Sequence, residues 1–210
     1  MIKVIGVIGS GAMGTGIAQV IATAGLEVFI YDSNPVAINV AKDNFKESLE
    51  KLVTKNKITA EDASAIESKI IFQSNFKSLD ACDLIIEAVF ENMTLKHQMT
   101  RDLEPRLAEG GVWGSNTSTL PITQLAQASQ DAENFIGIHF FSPVDKMPLV
   151  EIIMGEQTGD MALAKAFDFT KQIKKTPIVV NDSLGFFTSR TFGTYLDEGV
   201  RLLVEGMKPL

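Results

Sequence analysis

The chain has 210 residues, 45% of them hydrophobic, which is enough to form a sizeable buried core. Its 26 acidic and 19 basic residues give a formal net charge of −7, which argues against a nucleic-acid-binding surface. No apolar stretch approaches the roughly 20 residues of a membrane-spanning helix, and the apolar start lacks a convincing signal cleavage site. The single cysteine, Cys82, excludes an internal disulfide and indicates a reducing compartment, so we expect a cytoplasmic protein without a membrane span.

Short β-rich runs alternate with longer amphipathic segments along the chain. The predicted strands lie near residues 3–8, 27–31, 69–73, 84–88, 112–115, 135–140, 149–154 and 176–180. The predicted helices lie near residues 12–24, 35–55, 93–108, 121–128 and 160–173, and the polar, periodic stretch 35–68 is interpreted as a helical excursion. In the third helix, the four leucine and methionine positions 95, 99, 103 and 107 share one face. This alternation predicts an α/β fold with a doubly wound, mostly parallel sheet.

The segment from residue 184 differs from the rest because its apolar residues occupy more than one face of a predicted helix. Such a helix needs a surface from another copy, another chain or further sequence. We therefore place a boundary after residue 183. Residues 1–183 are predicted to form the main domain, and residues 184–210 to begin an incomplete helical domain that associates through 184–206.

A glycine-rich loop follows the first predicted strand and opens the first predicted helix; its residues are Gly9, Ser10, Gly11, Ala12, Met13 and Gly14. This context is typical of a dinucleotide-binding loop. Gly9 permits the tight turn, Gly11 lets a pyrophosphate approach, and Gly14 lets the helix pack closely on the strand, while the helix N-terminus attracts negative charge. A packing turn without a ligand is the alternative.

Asp32 ends the second predicted strand, about twenty residues beyond the loop. A carboxylate at this point can accept hydrogen bonds from the adenosine ribose hydroxyl groups, and it would repel a 2′-phosphate. The sequence therefore favours NAD over NADP. Asp32 could also simply cap the next helix.

The chain has two histidines, and they lie in different surroundings. His97 lies on a charged predicted helix and is interpreted as a surface or boundary residue. His139 ends the strand 135–140, and Glu151 is a lone charge in the apolar strand 149–154, which is costly unless it is paired. If the two strands are neighbours, Glu151 can orient the imidazole ring of His139 as a general base. A purely structural His–Glu pair is the alternative.

Four ordered motifs together resemble the L-3-hydroxyacyl-CoA dehydrogenase family. They are VIGSGAMG from residue 7, EAVFEN from residue 87, SNTSTL from residue 115, and HFFSPV from residue 139 with MPLVE from residue 147. The tail, residues 176–187, is most similar to the dehydrogenase portion of multifunctional fatty-acid β-oxidation α-subunits. The resemblance runs through the whole chain.

The resemblance implies a Rossmann-type fold and the NAD-dependent oxidation of L-3-hydroxyacyl-CoA to 3-ketoacyl-CoA. His139 would be the general base, Glu151 would stabilise its imidazolium, and Ser118 would hydrogen-bond the substrate oxygen. The implied cofactor contacts are the glycine-rich loop, Asp32, Glu91, Lys96, Ser118 and Ser142. Ser48 and Lys55 match positions that meet coenzyme A, although a solvated helix face explains them nearly as well. No metal ion is predicted.

Two serines depart from the pattern of single-function members, which carry asparagine at the positions of Ser142 and Ser189. We treat Ser142 as a trait of the multifunctional relatives and assign no role to Ser189. The resemblance also implies a following helical domain that completes the substrate cleft and the dimer contact. We therefore expect a homodimer or part of a larger β-oxidation polypeptide, and reduced or absent activity from these 210 residues alone.

Two other functions stay open at this point. The chain could be an NAD-binding module, or a structural relative of the crystallin type, that does not turn over substrate. It could also be a dehydrogenase of small β-hydroxy acids, but such enzymes usually rely on a lysine base in a later helix. The His–Glu pair disfavours that second alternative.

Overall fold

Eight strands form one sheet within residues 2–208, the part of the chain that the computed structural model describes. The strands are β1 Val4–Ile8, β2 Glu27–Tyr31, β3 Ile70–Gln73, β4 Cys82–Glu87, β5 Leu107–Ser115, β6 Phe135–Phe140, β7 Leu149–Met154 and β8 Thr176–Asn181. Their order is β3-β2-β1-β4-β5-β6-β7-β8. Every neighbouring pair is parallel except β6 and β7, which are antiparallel. The predicted doubly wound, mostly parallel sheet is confirmed.

The helices are α1 Ala12–Thr23, α2 Pro35–Thr54, α3 Ala60–Glu67, α4 Met93–Leu103, α5 Ile122–Leu125, α6 Asp160–Gln172 and α7 Thr188–Val204. The predicted excursion consists of two of them, α2 and α3. The Asn34 side chain caps α2, and Pro35 takes its first position, where a missing N–H costs nothing. Thr59 and Asp62 cap α3 reciprocally, which fixes the second helix after a short turn.

The core lies on both faces of the sheet. Helices α1, α2 and α6 cover one face with residues such as Ile17, Phe45 and Phe169. Helices α4 and α5 cover the other, where Trp113 and Phe135 are buried. Because both faces are covered, the central strands carry continuous apolar runs, as parallel strands generally do. The carboxyl ends of these strands are left as the edge at which loops can form a site.

Predicted boundaries were wrong in three places: the α4–β5 junction, the helix predicted over 121–128 and the start of the last helix. Helix α4 ends at Leu103, and the strand β5 begins at Leu107 rather than at 112, so Leu107 belongs to the sheet. Pro105, in the intervening 3-10 turn, explains the stop because it lacks an N–H donor. The helix predicted over 121–128 is α5 followed by a 3-10 turn, Ala126–Ala128.

The third boundary concerns the last helix, which begins at Thr188 rather than at 184. The backbone just before it has positive φ angles at Gly185 and Phe186, so a helix cannot start earlier. Residues 209 and 210 of the predicted second domain lie outside the described residues. Within residues 2–208, no helix has the length and apolarity needed to cross a bilayer.

Candidate active site

The candidate site lies where the sheet order changes direction. Strand β1 pairs with β2 on one side and with β4 on the other, so chain connections leave it in opposite directions. In open α/β sheets the crevice at such a point, outside the carboxyl ends of the strands, is where ligands bind. The loops after β1, β2, β4 and β5 all lie at this edge.

The glycine-rich loop has the geometry that a dinucleotide requires. Gly9 has φ +102°, and a Cβ there would lie 2.8 Å from the carbonyl oxygen of Ala88. A Cβ on Gly14 would lie 1.9 Å from the carbonyl oxygen of Gly9, so the helix and strand pack in contact. A Cβ on Gly11, by contrast, would have no atom within 4 Å. Protein packing therefore explains Gly9 and Gly14, whereas the bare surface at Gly11 fits close approach of a pyrophosphate.

The N-terminus of α1 is open to an anion. No side chain caps the helix at Gly11, and its first turn carries no acidic residue. Free backbone N–H groups and the positive end of the helix dipole therefore face the loop. These groups, rather than a cationic side chain, are what would hold the phosphates.

Asp32 is brought onto the glycine-rich loop. Its Oδ2 accepts hydrogen bonds from Ser10 N at 3.0 Å and Ser10 Oγ at 2.8 Å, and its Oδ1 accepts from Asn34 N at 3.0 Å. The carboxylate is thus held at the end of β2 beside the loop, where ribose hydroxyl groups would meet it. The next helix is capped by Asn34 instead of by Asp32.

His139 and Glu151 are directly opposite each other on the antiparallel strands β6 and β7. His139 Nδ1 lies 3.0 Å from Glu151 Oε2, and both side chains are buried. A carboxylate can only accept, so Nδ1 carries a proton, and in the neutral ring Nε2 is the nitrogen with the free lone pair. The ring also lies 4.5 Å from that of Phe141 and 6.2 Å from that of Phe186, centroid to centroid, which fixes its plane.

Glu151 is also bound by the start of α7, which the sequence reasoning missed. Its Oε1 accepts from Phe187 N and Thr188 N, both at 3.0 Å, and its Oε2 accepts from Thr188 Oγ1 at 2.6 Å. Burial by itself would raise the pKa of Glu151, but the hydrogen bonds from His139, Thr188 and Phe187 outweigh it and hold the pKa below its usual value. A hydroxyl residue at the start of a predicted helix was the available signal.

Ser118 and Glu91 also lie together. Glu91 Oε1 accepts from Thr117 Oγ1, Ser118 N, Ser118 Oγ, Thr119 N and Thr119 Oγ1 at 2.6 to 3.3 Å. Burial alone would raise the pKa of Glu91, but these bonds and the nearby Lys96 ammonium lower it. The carboxylate therefore organises the whole loop after β5. Ser189, to which no role was assigned, donates to the Ser118 carbonyl oxygen at 3.3 Å.

Lys96 is buried, with 2% of its surface exposed, which is unusual for a lysine. Its Nζ lies 2.7 Å from Oε1 of the equally buried Glu87 and 3.4 Å from Glu91 Oε2. No role was assigned to Glu87 from the sequence. A charged residue at the end of the apolar strand β4 was the signal that could have identified it.

The remaining predicted residues lie around this edge. Ser142 is exposed in the loop after β6. Ser48 and Lys55 line one groove of about 400 Å³ between α2 and the loop that carries Asp145 and Lys146. His97 was interpreted as a boundary residue, and it is half-buried, with Nε2 donating to the carbonyl oxygen of Gln124 at 2.9 Å.

Comparison with known proteins gives a consistent picture. The family model of the 3-hydroxyacyl-CoA dehydrogenase NAD-binding domain matches residues 4–183. The fatty acid oxidation complex subunit alpha of Shewanella amazonensis is 40% identical over 201 residues, which are 95% of this chain. The chain spans only 28% of the length of that relative.

Two solved structures are similar to the chain over nearly its whole length. The (S)-3-hydroxybutyryl-CoA dehydrogenase of Ralstonia eutropha has a TM-score of 0.94 at 36% identity, covering 99% of this chain and 74% of that one. The 3-hydroxybutyryl-CoA dehydrogenase of Escherichia coli also has a TM-score of 0.94, at 32% identity, covering 99% of this chain and 44% of that one.

Proposed function

The chain belongs to the 3-hydroxyacyl-CoA dehydrogenase family, of which it contains the NAD-binding domain, and from this premise we propose that it oxidises an L-3-hydroxyacyl-CoA to the 3-ketoacyl-CoA. The observation that carries the proposal is the buried pair of His139 and Glu151 beside the dinucleotide crevice. Fatty-acid β-oxidation is the setting that the relatives' names suggest.

His139 acts as the general base. Its Nε2 takes the proton of the substrate 3-hydroxyl group as the C3–O bond becomes a carbonyl. Glu151 then stabilises the imidazolium through Nδ1, and its bonds to Thr188 and Phe187 keep it ionised and in place. Ser118 turns its one hydroxyl hydrogen away from Glu91 Oε1, 3.3 Å distant in the ligand-free chain, and donates it to the substrate oxygen, where it stabilises the partial negative charge that develops.

Six residues of the glycine-rich loop, with Asp32, hold NAD in this proposal. Bound NAD would supply the nicotinamide ring that accepts the hydride leaving C3 of the substrate. Asp32 selects against a 2′-phosphate by charge, because Ser33, Asn34 and Pro35 follow it and none of them is cationic. Glu91, Lys96, Ser118 and Ser142 complete the cofactor side of the crevice.

We place the coenzyme A part of the substrate in the groove that contains Ser48 and Lys55. Lys51, Lys57 and Lys146 also line it, against the two carboxylates of Glu47 and Asp145, so the groove carries a net positive charge in an acidic protein. Phosphate groups are attracted to such a concentration of ammonium groups. The groove lies between α2 and the loop that follows His139 and Ser142, so a substrate bound there could extend toward His139.

The parent assembly is a further part of the proposal. We infer that residues 1–183 form the dinucleotide-binding domain and that α7 begins a helical domain, because its apolar side chains are exposed. That domain would complete the substrate cleft in a homodimer or in a larger multifunctional polypeptide. We propose a cytoplasmic location because the chain has a single cysteine, Cys82, and that residue is buried.

Replacing His139 with Gln tests the proposal. NADH binding, followed by fluorescence, should be unchanged, whereas turnover of acetoacetyl-CoA with NADH should fall by at least about 10³-fold because the base is lost. His97→Gln is the matched control and should keep the wild-type rate. A wild-type chain that binds NADH but turns over no acyl-CoA, at any concentration, would favour the NAD-binding module instead.

A further inference from the structure

Glu87 lies at the centre of the crevice edge, yet nothing in the proposed reaction uses it. It ends β4, where its neighbours are Ile8 of β1 and Ser115 of β5. Only 1% of its surface is exposed. An ionised carboxylate so placed is tolerated only when it is paired and hydrogen-bonded.

Both carboxylate oxygens of Glu87 are engaged. Oε1 accepts from Lys96 Nζ at 2.7 Å and from Val89 N at 2.8 Å, and Oε2 accepts from Ser115 Oγ at 2.8 Å. The carboxylate thereby joins α4, the loop after β4 and the end of β5. Three segments that border the crevice meet on one buried side chain.

The ammonium group of Lys96 is equally engaged. Its Nζ donates to Glu87 Oε1 at 2.7 Å and to the Val89 carbonyl oxygen at 3.3 Å, and it forms an ion pair with Glu91 Oε2 at 3.4 Å. Lys96 is therefore held by Glu87, and it acts on the crevice through its attraction to Glu91 and its hydrogen bond to the loop after β4.

The loop 117–119 is held from two directions that both begin at Glu87. On one side, Lys96 holds Glu91, whose Oε1 accepts from the backbone amides of Ser118 and Thr119 at 3.0 and 3.1 Å. On the other side, Ser115 Oγ, which donates to Glu87, accepts from Thr117 N at 3.4 Å. This loop carries Ser118, the residue proposed to contact the reacting oxygen.

We propose that Glu87 is a positioning residue that presets the loop 117–119, acting through Lys96 and Glu91 on one side and through Ser115 on the other. Because only 1% of its surface is exposed, we assign Glu87 no direct contact with cofactor or substrate. Its buried charge holds the Lys96 ammonium in place, and the ammonium holds Glu91. The contribution of Glu87 to turnover rests on the proposed dehydrogenase function, whereas its contribution to loop order does not.

Amide hydrogen exchange of the ligand-free chain tests the loop order directly. Glu87→Gln should speed exchange at the Ser118 and Thr119 amides by about tenfold or more, because local opening becomes easier. The matched control is Glu104→Gln. Glu104 is also buried, but it lies at the opposite edge of the sheet and accepts from Gln130 N and Ser129 Oγ. That variant should speed exchange at Gln130 and leave Ser118 and Thr119 unchanged.

A double-mutant cycle tests the route through Lys96. Glu87→Gln and Lys96→Met should each speed exchange at Ser118 and Thr119, and the double variant should exceed the larger single effect by no more than about twofold, because residues in one network are not additive. Effects that simply multiply would overturn the proposal. So would wild-type exchange at both amides in Glu87→Gln. If Glu87→Gln does not fold, Ser115→Ala, which removes no charge, takes its place with an expected change of about threefold.

Steady-state kinetics distinguishes this inference from the proposed function. In Glu87→Gln, kcat for acetoacetyl-CoA should fall by about tenfold while the Kd for NADH stays within about threefold, since a mispositioned Ser118 affects the reacting oxygen. If Glu87→Gln loses exchange protection and the wild type turns over no acetoacetyl-CoA, dehydrogenase turnover by these 210 residues is refuted and the positioning role still stands. If Glu87→Gln keeps wild-type exchange at the Ser118 and Thr119 amides while the wild type turns over acetoacetyl-CoA, the positioning role is refuted and the dehydrogenase function is not.

Discussion

Glu151 combines two tasks at a single residue. It holds the ring of His139 through Nδ1, and it accepts the backbone amides of Phe187 and Thr188 at the start of α7. A carboxylate at a helix N-terminus is also favoured by the helix dipole. The orientation of the proposed base is therefore coupled to the position of α7, so that a displacement of this helix would also disturb the base.

The lowered pKa of Glu151 predicts a specific dependence of stability on pH. Because its pKa in the folded chain is below the ordinary value of 4.5, the ionised carboxylate stabilises the fold fully above about pH 4.5. This stabilisation is lost as the pH falls through the folded-state pKa. Glu151→Gln should cost about 3 kcal/mol at pH 7, as breaking a buried pair does. The gap between wild type and variant should shrink below pH 4.5 in urea unfolding experiments.

Glu47→Gln is the control for this experiment. Glu47 pairs with Lys51 on the exposed surface of α2, where solvent screens the interaction. Its unfolding curve should follow that of the wild type from pH 7 to pH 3. A gap between wild type and Glu151→Gln that stays constant over this range would contradict the assignment of an ionised Glu151.

At this scale the sequence predicted the pair His139–Glu151 and missed the partners of Glu87. His139 and Glu151 could be paired because adjacent strands with a short connection commonly lie side by side. Glu87 was not paired with its partners from the sequence, because one of them, Lys96, is brought to it by the packing of α4 on the sheet and the other, Ser115, lies 28 residues away on the neighbouring strand β5.

At the scale of the element, the turn from β1 into α1 contains some glycines that the fold requires and one that a ligand requires. Gly9 and Gly14 are required by the protein itself, since a Cβ at either would collide with backbone. Gly11 is not, since its surroundings are open. Fold and ligand therefore constrain different glycines of one motif, and substitution can separate the two requirements.

Alanine at Gly11 and at Gly14 should have opposite consequences. Gly14→Ala should destabilise the chain by about 3 kcal/mol or more, because the new Cβ meets the Gly9 carbonyl oxygen and the backbone must shift. Gly11→Ala should cost less than about 1 kcal/mol, since φ −67° suits alanine and the N-cap loses no side-chain bond. It should nevertheless weaken NADH binding at least about tenfold, or about 1.4 kcal/mol, by blocking the pyrophosphate. Thermal unfolding and NADH titration measure both quantities, and wild-type NADH affinity in Gly11→Ala would remove the loop from the cofactor site.

Element types were predicted more reliably than element ends, and the α4–β5 junction shows why. Leu107 continues the four-residue spacing of Leu95, Met99 and Leu103, so periodicity alone extends the helix to it. The spacing is satisfied by coincidence, because Leu107 packs on the second face of the sheet as the first residue of β5. Pro105 carries the local information that ends the helix, and it outweighs the periodic pattern.

At the scale of the whole molecule, α7 carries apolar side chains that the sheet and its flanking helices leave exposed. Its apolar side chains form a broad stripe at helical spacing, which includes Phe192, Tyr195, Leu196, Val200 and Leu203. Tyr195 is 74% exposed and Val200 59% exposed. An exposed contiguous apolar stripe of this kind marks an interaction surface rather than a free surface. The sequence predicted an apolar helix that needs another surface, but with apolar residues on more than one face, whereas in the structure these five lie along one broad stripe.

The stripe predicts that these 210 residues self-associate through α7. Replacing both Leu196 and Val200 with Asp places two charges one turn apart on it and should raise the dissociation constant for self-association by at least about tenfold, or about 1.4 kcal/mol. Val36 and Val40 on α2 have the same spacing and comparable exposure, 68% and 53%, so the pair Val36→Asp with Val40→Asp is the matched control. Sedimentation velocity over a range of concentrations should show weaker association for the first pair alone. Equal association for wild type and both variants would mean that α7 does not contact a second copy, and that its apolar side chains need another partner.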